Sequence, residues 1–241
     1  MSAARTLRRA GAALALCVAA ATVGGAQAPT LANDPLDGLP IVEVPARAGT
    51  TPSTLAIFLS GDGGWATLDR QTAGELADHG VAVVGLNSRS YLMHRRTPEQ
   101  TADDVARIAR AYGARWGSRR LVLVGYSRGA DLVPFVATRL PTDLRQRTAL
   151  VAMLGPERAA NFQFHWIDVV RDASRPDDRP LAPELARLRG TRLLCVYGTE
   201  EKDTACRGAD STLVRVVARD GDHHLGGDYP GLARLILDAL P

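Results

Sequence analysis

The chain has 241 residues, of which 46% are hydrophobic and 23% are charged. These values are typical of a globular protein and exclude a disordered chain, and the length fits one α/β domain. The net charge of +3 equals the charge of three arginines near the amino terminus, and the other residues hold 26 basic and 26 acidic side chains. A near-neutral protein lacks the basic surface that nucleic acids require, so we expect no nucleic-acid partner.

The first residues have the pattern of a secretory signal peptide. The three arginines precede an apolar stretch over residues 10–21, and small residues follow it. This stretch is too short to span a bilayer comfortably. We predict a signal peptide over residues 1–28, cleaved within residues 26–32, and an extended proline-rich segment over residues 29–52. The protein is therefore expected to be exported.

Beyond this segment, apolar runs of four to six residues alternate with amphipathic stretches. Such runs are typical of buried strands, and the amphipathic stretches are typical of helices. Strands are predicted over residues 55–59, 81–84, 121–124, 149–154, 193–197 and 213–217. Helices are predicted over residues 68–79, from residue 97, over residues 130–140 and over residues 232–240. This order predicts one domain over residues 53–241, an α/β fold whose mostly parallel sheet has helices on both faces and functional residues beyond the carboxyl ends of its strands.

A serine stands at the junction of the third predicted strand and the helix after it. Residues 125–129 read Gly-Tyr-Ser-Arg-Gly, which matches the G-x-S-x-G pattern of the nucleophile elbow in the α/β-hydrolase fold. That elbow is a strained turn that holds the serine oxygen above the edge of the sheet. The pattern alone occurs often by chance, but its place between a strand and a helix favours Ser127 as a nucleophile over an ordinary turn serine. The sequence therefore predicts the α/β-hydrolase fold.

Two cysteines remain after removal of the predicted signal peptide, which contains Cys17. An even number of cysteines in an exported protein is typical of a disulfide, and we predict one between Cys195 and Cys206. Two separate buried thiols are the alternative. The bridge would close a short loop after the fifth predicted strand and stabilise the fold by roughly 2 to 3 kcal/mol.

A serine nucleophile needs a base and an acid, which follow it in chain order in this fold. His223 and His224 lie between the last predicted strand and the last helix, where the base belongs, and we favour His223. The acid belongs after the strand at residues 193–197, where the loop contains Glu201 and Asp203. We favour Asp203, with Glu201 as the alternative, because the predicted disulfide would hold the Asp203 end of the loop near the strand. The prediction is a Ser-Asp-His triad.

The oxyanion that develops during acyl transfer needs backbone donors close to the nucleophile. One is the amide of Arg128, the residue after Ser127, and the second is expected from the loop after the first predicted strand. That loop, residues 60–65, reads Ser-Gly-Asp-Gly-Gly-Trp, and its glycines allow the backbone to turn its amides inward. We favour the amide of Asp62, with that of Gly63 as the alternative.

No cofactor is expected from the sequence. The loop at residues 60–65 lacks the lysine of a phosphate-binding P-loop. His223 and His224 are adjacent, and no cysteine or histidine pair completes a set of metal ligands. We therefore predict neither a metal site nor an organic cofactor.

Several segments together resemble one known family. They are residues 59–65 (Leu-Ser-Gly-Asp-Gly-Gly-Trp), 96–99 (Arg-Thr-Pro-Glu), 125–131 (Gly-Tyr-Ser-Arg-Gly-Ala-Asp), 197–206 with its final cysteine, and 223–229 with its two histidines. Their content and order resemble the bacterial virulence protein family of VirJ and AcvB. The resemblance extends over about residues 55–240, and the chain is similar to the single-domain VirJ form rather than to the longer AcvB-type proteins.

The resemblance implies a periplasmic α/β hydrolase of Gram-negative bacteria. AcvB-like members remove the aminoacyl group from lysyl-phosphatidylglycerol, and VirJ-like members are associated with type IV secretion. The implied substrate is the aminoacyl ester of lysyl- or alanyl-phosphatidylglycerol or a similar ester. The implied partners are thus an aminoacylated phospholipid, a membrane surface and secretion-system proteins. Arg128 stands where the family pattern has an aromatic residue, and Gly221 and Asp222 stand where it has two glycines.

Two alternatives to this activity stay open. A protein that kept the fold and lost catalysis would be a periplasmic binding or assembly factor, and a general esterase or lipase would use the same residues. A cationic lysyl or alanyl group would favour carboxylates near the nucleophile. The candidates are Asp62, Asp131, Glu157 and Asp228, for which helix capping or a place on the solvated surface is the alternative.

Overall fold

The six predicted strands are all present in the computed structural model, which describes residues 36–47, 53–164 and 175–241. The strands are β1 (Ile41–Val44), β2 (Thr54–Leu59), β3 (Val81–Leu86), β4 (Arg120–Tyr126), β5 (Thr148–Leu154), β6 (Ala159–Ala160), β7 (Arg179–Pro180), β8 (Leu193–Gly198) and β9 (Val214–Arg219). The helices are α1 (Thr67–Asp78), α2 (Ser88–Tyr91), α3 (Pro98–Trp116), α4 (Arg128–Arg139), α5 (Thr142–Arg147), α6 (Ala182–Arg187) and α7 (Tyr229–Asp238). The predicted signal peptide, residues 1–28, lies outside the described residues.

Seven strands form one sheet in the order β1-β3-β2-β4-β5-β8-β9. β1 runs antiparallel to β3, and the other neighbouring pairs are parallel. Parallel neighbours need crossover connections, and helices α1, α3, α4 and α6 lie in these connections. β6 and β7 form a separate two-stranded ribbon. The predicted α/β fold with a mostly parallel sheet is confirmed.

The edge strand β1 is not among the strands predicted from the sequence. It lies within the segment predicted as extended, and Pro40 and Pro45 flank its four residues. Its register places Ile41 opposite Leu86. The strand is short and only partly buried, so its sequence has no long apolar run. The hydrogen-bonded sheet thus extends to the amino-terminal side of residue 53.

The sheet separates two apolar layers. Leu55, Ile57 and Leu59 of β2 face the layer that α3 and α4 cover, whereas Ala56 and Phe58 face the layer that α1 and α7 cover. This alternation is the two-residue period of a strand, and burial of both faces explains the continuous apolar runs in the sequence. Within the described ranges, no helix is long and apolar enough to cross a membrane.

The loops that leave the parallel strands begin at one edge of the sheet. Because these strands point the same way, the segments after β2, β4, β5, β8 and β9 meet there. In that order they carry residues 60–64, Ser127, Gly155, Glu201 and His223. The fold therefore gathers the predicted site residues from widely separated parts of the chain.

Candidate active site

Ser127 lies at the sharp turn between β4 and α4, where the sequence places it. Its backbone has a φ of 52° and a ψ of −124°, a conformation that is strained for a residue other than glycine. A Cβ atom on Gly125 would lie 2.2 Å from the carbonyl oxygen of Gly129, and one on Gly129 would lie 2.0 Å from that of Leu59. Backbone packing therefore requires both glycines. The Ser127 amide donates to the carbonyl of Leu154 at 2.8 Å, which ties the elbow to β5.

His223 lies beside this elbow. Its Nδ1 is 2.6 Å from Oε1 of Glu201, and its ring stacks on that of Tyr126 with the centroids 5.4 Å apart. The Tyr126 hydroxyl donates to the carbonyl oxygen of His223 at 3.3 Å. Tyr126 immediately precedes Ser127, so these contacts tie His223 to the nucleophile elbow. An ionised carboxylate only accepts hydrogen bonds, so Nδ1 donates and Nε2 keeps the lone pair that a general base needs.

The surroundings of His223 raise its pKa above the ordinary histidine value. The hydrogen bond to Glu201 is the largest cause, burial acts against it, and the charges of Glu201, Glu157 and Asp222 act with it. The imidazolium form is therefore stabilised at this position. A base of this kind is effective once the pH exceeds its pKa.

The carboxylate beside His223 is that of Glu201, so the geometry favours this alternative acid over Asp203. The side chain of Asp203 is 85% exposed and contacts Nε of Arg158, whereas that of Glu201 is 13% exposed. The Glu201 amide donates to the carbonyl of Gly198 at 3.0 Å, and Oε2 accepts from the Gly198 amide at 2.6 Å. This turn directs the longer side chain of Glu201 back toward the edge of the sheet. Both of its carboxylate oxygens have a partner, which fixes its orientation.

His224, the alternative base, has different surroundings from its neighbour. Its residue is exposed to solvent, and its amide donates to Oδ1 of Asp222 at 2.8 Å. The carboxylate of Glu201 contacts the ring of His223 instead. The geometry therefore favours His223 as the base.

A disulfide holds the loop that carries Glu201. Cys195 in β8 is bonded to Cys206 in the short helix Ala205–Gly208, with the sulfur atoms 2.09 Å apart and both residues buried. The predicted pairing is confirmed. Arg207, next to the bridge, donates to the carbonyl oxygens of Glu201 and Thr199, both at 2.7 Å. The bridge and this arginine together fix the main chain of the acid loop.

The glycine-rich loop after β2 contacts the nucleophile elbow. A Cβ atom on Gly61 would be 3.1 Å from Cβ of Ser127. The Gly64 amide donates to the carbonyl of Gly61 at 3.0 Å, which closes a turn that contains both candidate amides of the loop. Arg128 is the first residue of α4, where helix amides have no intrahelical partner. The predicted oxyanion donors thus lie on adjoining segments, and their role stays a prediction.

Arg128 and Asp62, whose amides are predicted oxyanion donors, also form an ion pair through their side chains. No sequence pattern predicts this contact. Nε of Arg128 is 3.2 and 3.3 Å from the two carboxylate oxygens of Asp62, and Nη2 is 3.1 Å from Oδ2. The Arg128 side chain is 10% exposed and that of Asp62 is 28% exposed. Burial alone would lower the pKa of the Arg128 guanidinium, but the Asp62 carboxylate raises it above its ordinary value. The Arg128 guanidinium therefore stays charged.

The other carboxylates considered for a cationic group differ in exposure. Asp131 is 1% exposed, burial raises its pKa well above the ordinary value, and it accepts from the amide of Glu157 at 2.7 Å. Asp228 caps α7 and contacts Arg219 at 3.0 Å. Glu157 is exposed, and its charge contributes to the raised pKa of His223. Of these three, Glu157 is the one whose charge acts on the pKa of His223.

The side chains gathered here suit nucleophilic and acid–base chemistry. In the part of the chain that the structure describes, no three histidine, cysteine, aspartate or glutamate residues come together as metal ligands. The serine, the histidine and the carboxylate follow each other in the chain order of the α/β-hydrolase fold.

One family matches most of the chain. The sequence model described as "Bacterial virulence protein (VirJ)" matches residues 53–241, which include β2 to β9 and the whole candidate site. A search of curated proteins finds no match.

Solved structures of several hydrolases are similar to this chain. Est1E from Butyrivibrio proteoclasticus with bound ferulic acid has a TM-score of 0.57 and 13% identity, over 85% of this chain and 97% of that chain. The esterase Pf2001 from Pyrococcus furiosus has a TM-score of 0.58 and 11% identity, over 83% and 88%. The esterase domain of a Rhodothermus marinus protein has a TM-score of 0.56 and 16% identity, over 81% and 95%. Identities this low establish the fold alone, which is the α/β-hydrolase fold.

Proposed function

The chain belongs to the VirJ family of bacterial virulence proteins, and from this membership we propose that it hydrolyses an ester with Ser127 as the nucleophile. In this proposal His223 is the base and Glu201 is the acid. The observation that carries it is the 2.6 Å hydrogen bond between His223 and Glu201, with the His223 ring stacked on Tyr126, the residue before the strained Ser127. A nucleophile, a base and a group that orients the base are the parts that acyl transfer requires.

In the first half-reaction, Oγ of Ser127 attacks the carbonyl carbon of the ester while Nε2 of His223 takes the hydroxyl proton. The resulting oxyanion accepts hydrogen bonds from the Arg128 amide and from an amide of the glycine-rich loop. The bond between carbon and the alcohol oxygen then breaks, and His223 gives its proton to the departing alcohol. Glu201 stabilises the imidazolium between these two transfers.

In the second half-reaction, water releases the acyl group from the enzyme. His223 takes a proton from the water molecule, whose oxygen attacks the acyl carbon. The bond to Oγ of Ser127 breaks, and the serine recovers its proton from His223. One ester and one water molecule become one acid and one alcohol, without any cofactor.

For the substrate we propose the aminoacyl ester of lysyl- or alanyl-phosphatidylglycerol, which would yield a free amino acid and phosphatidylglycerol. Family membership and the resemblance to AcvB-like proteins support this choice. An aminoacyl ester is activated toward attack by the nearby ammonium group. That group is a cation, and we propose that the exposed carboxylate of Glu157 attracts it near His223.

We further propose that the protein acts in the periplasm, after export by the predicted signal peptide at residues 1–28. The buried Cys195–Cys206 disulfide supports an oxidising compartment. Aminoacylated lipids at the membrane surface would then be within reach of the site, and we propose secretion-system proteins as partners in the same compartment.

The test uses purified protein without residues 1–28 and vesicles that contain lysyl-phosphatidylglycerol, alanyl-phosphatidylglycerol or unmodified phosphatidylglycerol. We expect amino-acid release from the first two lipids, and a loss of at least about 10³-fold in Ser127→Ala. A fluorophosphonate probe should label the wild type and not the variant. Fatty-acid release from the unmodified lipid would favour a lipase, and no labelling of folded wild type would contradict a serine hydrolase.

The non-catalytic alternative predicts a different genetic result. If the protein is a binding or assembly factor, Ser127→Ala should restore a deletion phenotype as fully as the wild type does. A catalytic protein should fail to restore it with this variant. Equal expression and equal thermal unfolding of the two proteins are the controls.

A further inference from the structure

We propose that the ion pair between Asp62 and Arg128 is a positioning device that sets the spacing of the two oxyanion donors. The pair joins the side chains of the same two residues whose backbone amides are the favoured donors. This inference rests on the proposed function, because it assigns those amides a role in ester hydrolysis. The proposed reaction uses the backbone amides of Asp62 and Arg128 and gives their side chains no role, whereas this inference assigns one to the side chains.

The pair connects the segments that follow two neighbouring strands. Asp62 lies in the loop after β2, and Arg128 begins the helix after β4. Three contacts of 3.1 to 3.3 Å join the guanidinium to both carboxylate oxygens. These contacts oppose movement of the two segments relative to each other.

The loop that carries Asp62 is rich in glycine. Gly61, Gly63 and Gly64 surround it, and Gly64 has a φ of +74°. Glycine loses more conformational freedom on ordering than any other residue. The hydrogen bond from the Gly64 amide to Gly61 at 3.0 Å fixes the two ends of the turn. The side chain of Asp62 ties down its centre.

Arg128 lies on the more rigid side of the pair. The amide of Ala130 donates to the carbonyl of Ser127 at 2.7 Å, and Gly129 packs tightly against the end of β2. A guanidinium is a planar fork, so it fixes the orientation of a carboxylate as well as its distance. A lysine ammonium would hold the distance alone. The elbow thus holds Arg128 in place, and Arg128 positions the glycine-rich loop through Asp62.

The pair differs from the exposed ion pairs of this protein. Its side chains are 10% and 28% exposed, whereas those of Arg110 and Asp143, also 3.1 Å apart, are 53% and 58% exposed. Exposed pairs contribute little because water and salt screen them. A shielded and geometrically matched pair holds its two segments more firmly, which is what alignment of the donors needs.

Alignment affects the transition state more than the bound substrate. Oxyanion donors act when they lie about 2.7 to 3.1 Å from the place that the charged oxygen will occupy. A misplacement of about 1 Å can cost about a hundredfold in rate. We therefore expect loss of the pair to lower kcat and to leave KM nearly unchanged.

The experiment compares Asp62→Asn, Arg128→Gln, Arg128→Lys and the double variant D62N/R128Q. Asp143→Asn, which breaks the exposed pair with Arg110, is the matched control. The readouts are kcat and KM with p-nitrophenyl acetate, the thermal midpoint, and amide hydrogen exchange over residues 60–65. The control should match the wild type in kcat and in exchange.

The variants Asp62→Asn and Arg128→Gln should each lower kcat about tenfold to a hundredfold and change KM by less than about threefold. The double variant should be no slower than the slower single variant, because the two side chains act as one unit. Arg128→Lys, which keeps the charge and loses the fork, should lie between the wild type and Arg128→Gln. Exchange over residues 60–65 should be faster in all three single variants.

Losses that multiply in the double variant, or unchanged kcat and exchange in Asp62→Asn, would overturn the positioning role. Arg128→Lys keeps the test decisive if a charge-removing variant does not fold. Failure of the proposed function is a separate result: the wild type would then hydrolyse no ester, while hydrogen exchange would still report whether the pair orders the loop.

Discussion

The two halves of the candidate site are held in different ways. In the nucleophile half, a Cβ atom on Gly125 or Gly129 would lie within 2.2 Å of main-chain atoms, so the backbone itself determines the shape. In the acid–base half, contacts of side chains determine the shape. Glu201 binds His223, Arg207 binds two carbonyl oxygens, and a disulfide closes the loop.

This difference determines what each half responds to. Backbone packing is sensitive to added volume and indifferent to pH, whereas a hydrogen-bonded histidine and a disulfide respond to protons and to reductants. The elbow should therefore be disrupted by the addition of a single methyl group at Gly125 or Gly129. The acid–base half should fail through changes of charge or of covalent linkage.

The largest expected effect comes from His223→Ala. Loss of the base should lower kcat by about 10³- to 10⁵-fold and leave the fold intact. The matched variant His224→Ala removes the neighbouring imidazole, which does not contact Glu201, and should stay within about threefold of the wild type. Steady-state kinetics on a soluble ester measure both, and equal losses in the two variants would contradict the assignment of the base.

Glu201→Gln should have the next largest effect, a fall in kcat of about 10²- to 10⁴-fold. Glu201 raises the pKa of His223, and the base must be neutral, so wild-type activity should rise with pH through a midpoint above about 6.5. The variant should shift this midpoint to lower pH. Asp203→Asn, which changes an exposed carboxylate, should alter neither value; a shift in this control would restore Asp203 as the acid.

Gly129→Ala tests the backbone packing of the nucleophile half. The added Cβ would lie 2.0 Å from the carbonyl oxygen of Leu59, and such crowding should lower the free energy of unfolding by about 3 kcal/mol. Gly74→Ala is the matched control, because a Cβ there meets nothing within 4 Å in helix α1. It should raise that free energy by up to about 1 kcal/mol. Urea unfolding compares them, and a stable, active Gly129→Ala would disprove the backbone argument.

Removal of the disulfide should have the smallest effect of the four. The bridge closes a loop of sequence separation 11, so the double variant C195A/C206A should lose about 2 to 3 kcal/mol of stability. The thermal midpoint should fall by about 5 to 10 °C. Reductant should lower the midpoint of the wild type and leave that of the variant unchanged. An unaltered midpoint in the variant would mean that the contacts of Arg207 suffice to hold the acid loop.

Much of the fold and the nucleophile could be predicted because their causes are local. A strand buried on both faces must be apolar throughout, and the elbow must have glycine at residues 125 and 129 because main-chain atoms occupy the space of a Cβ. Helices α2, α5 and α6 are harder to predict from the sequence, since four to six residues are too few to show a helical period. Strand β1 is too short and too little buried to show a long apolar run.

The carboxylate that pairs with His223 could not be chosen from sequence, because Glu201 and Asp203 lie in one loop and carry the same chemistry. The turn at Gly198 decides between them, since it directs Glu201 inward and leaves Asp203 on the surface. A carboxylate three residues after the last strand residue was a usable signal, because such a side chain can fold back onto that residue's amide. The contact of Asp62 with Arg128 spans 66 positions, and nothing local in either segment indicates it.

The edges of the main sheet have a consequence for how copies of the molecule behave toward one another. An uncovered edge strand can template the addition of a strand from a second molecule, which leads to aggregation. At one edge, β1 has only four residues between Pro40 and Pro45, and proline has no amide hydrogen with which to continue a ladder. At the other, the exposed Arg215 of β9 would meet a like charge on an approaching copy. Both margins of the sheet thus oppose polymerisation through β-strand addition.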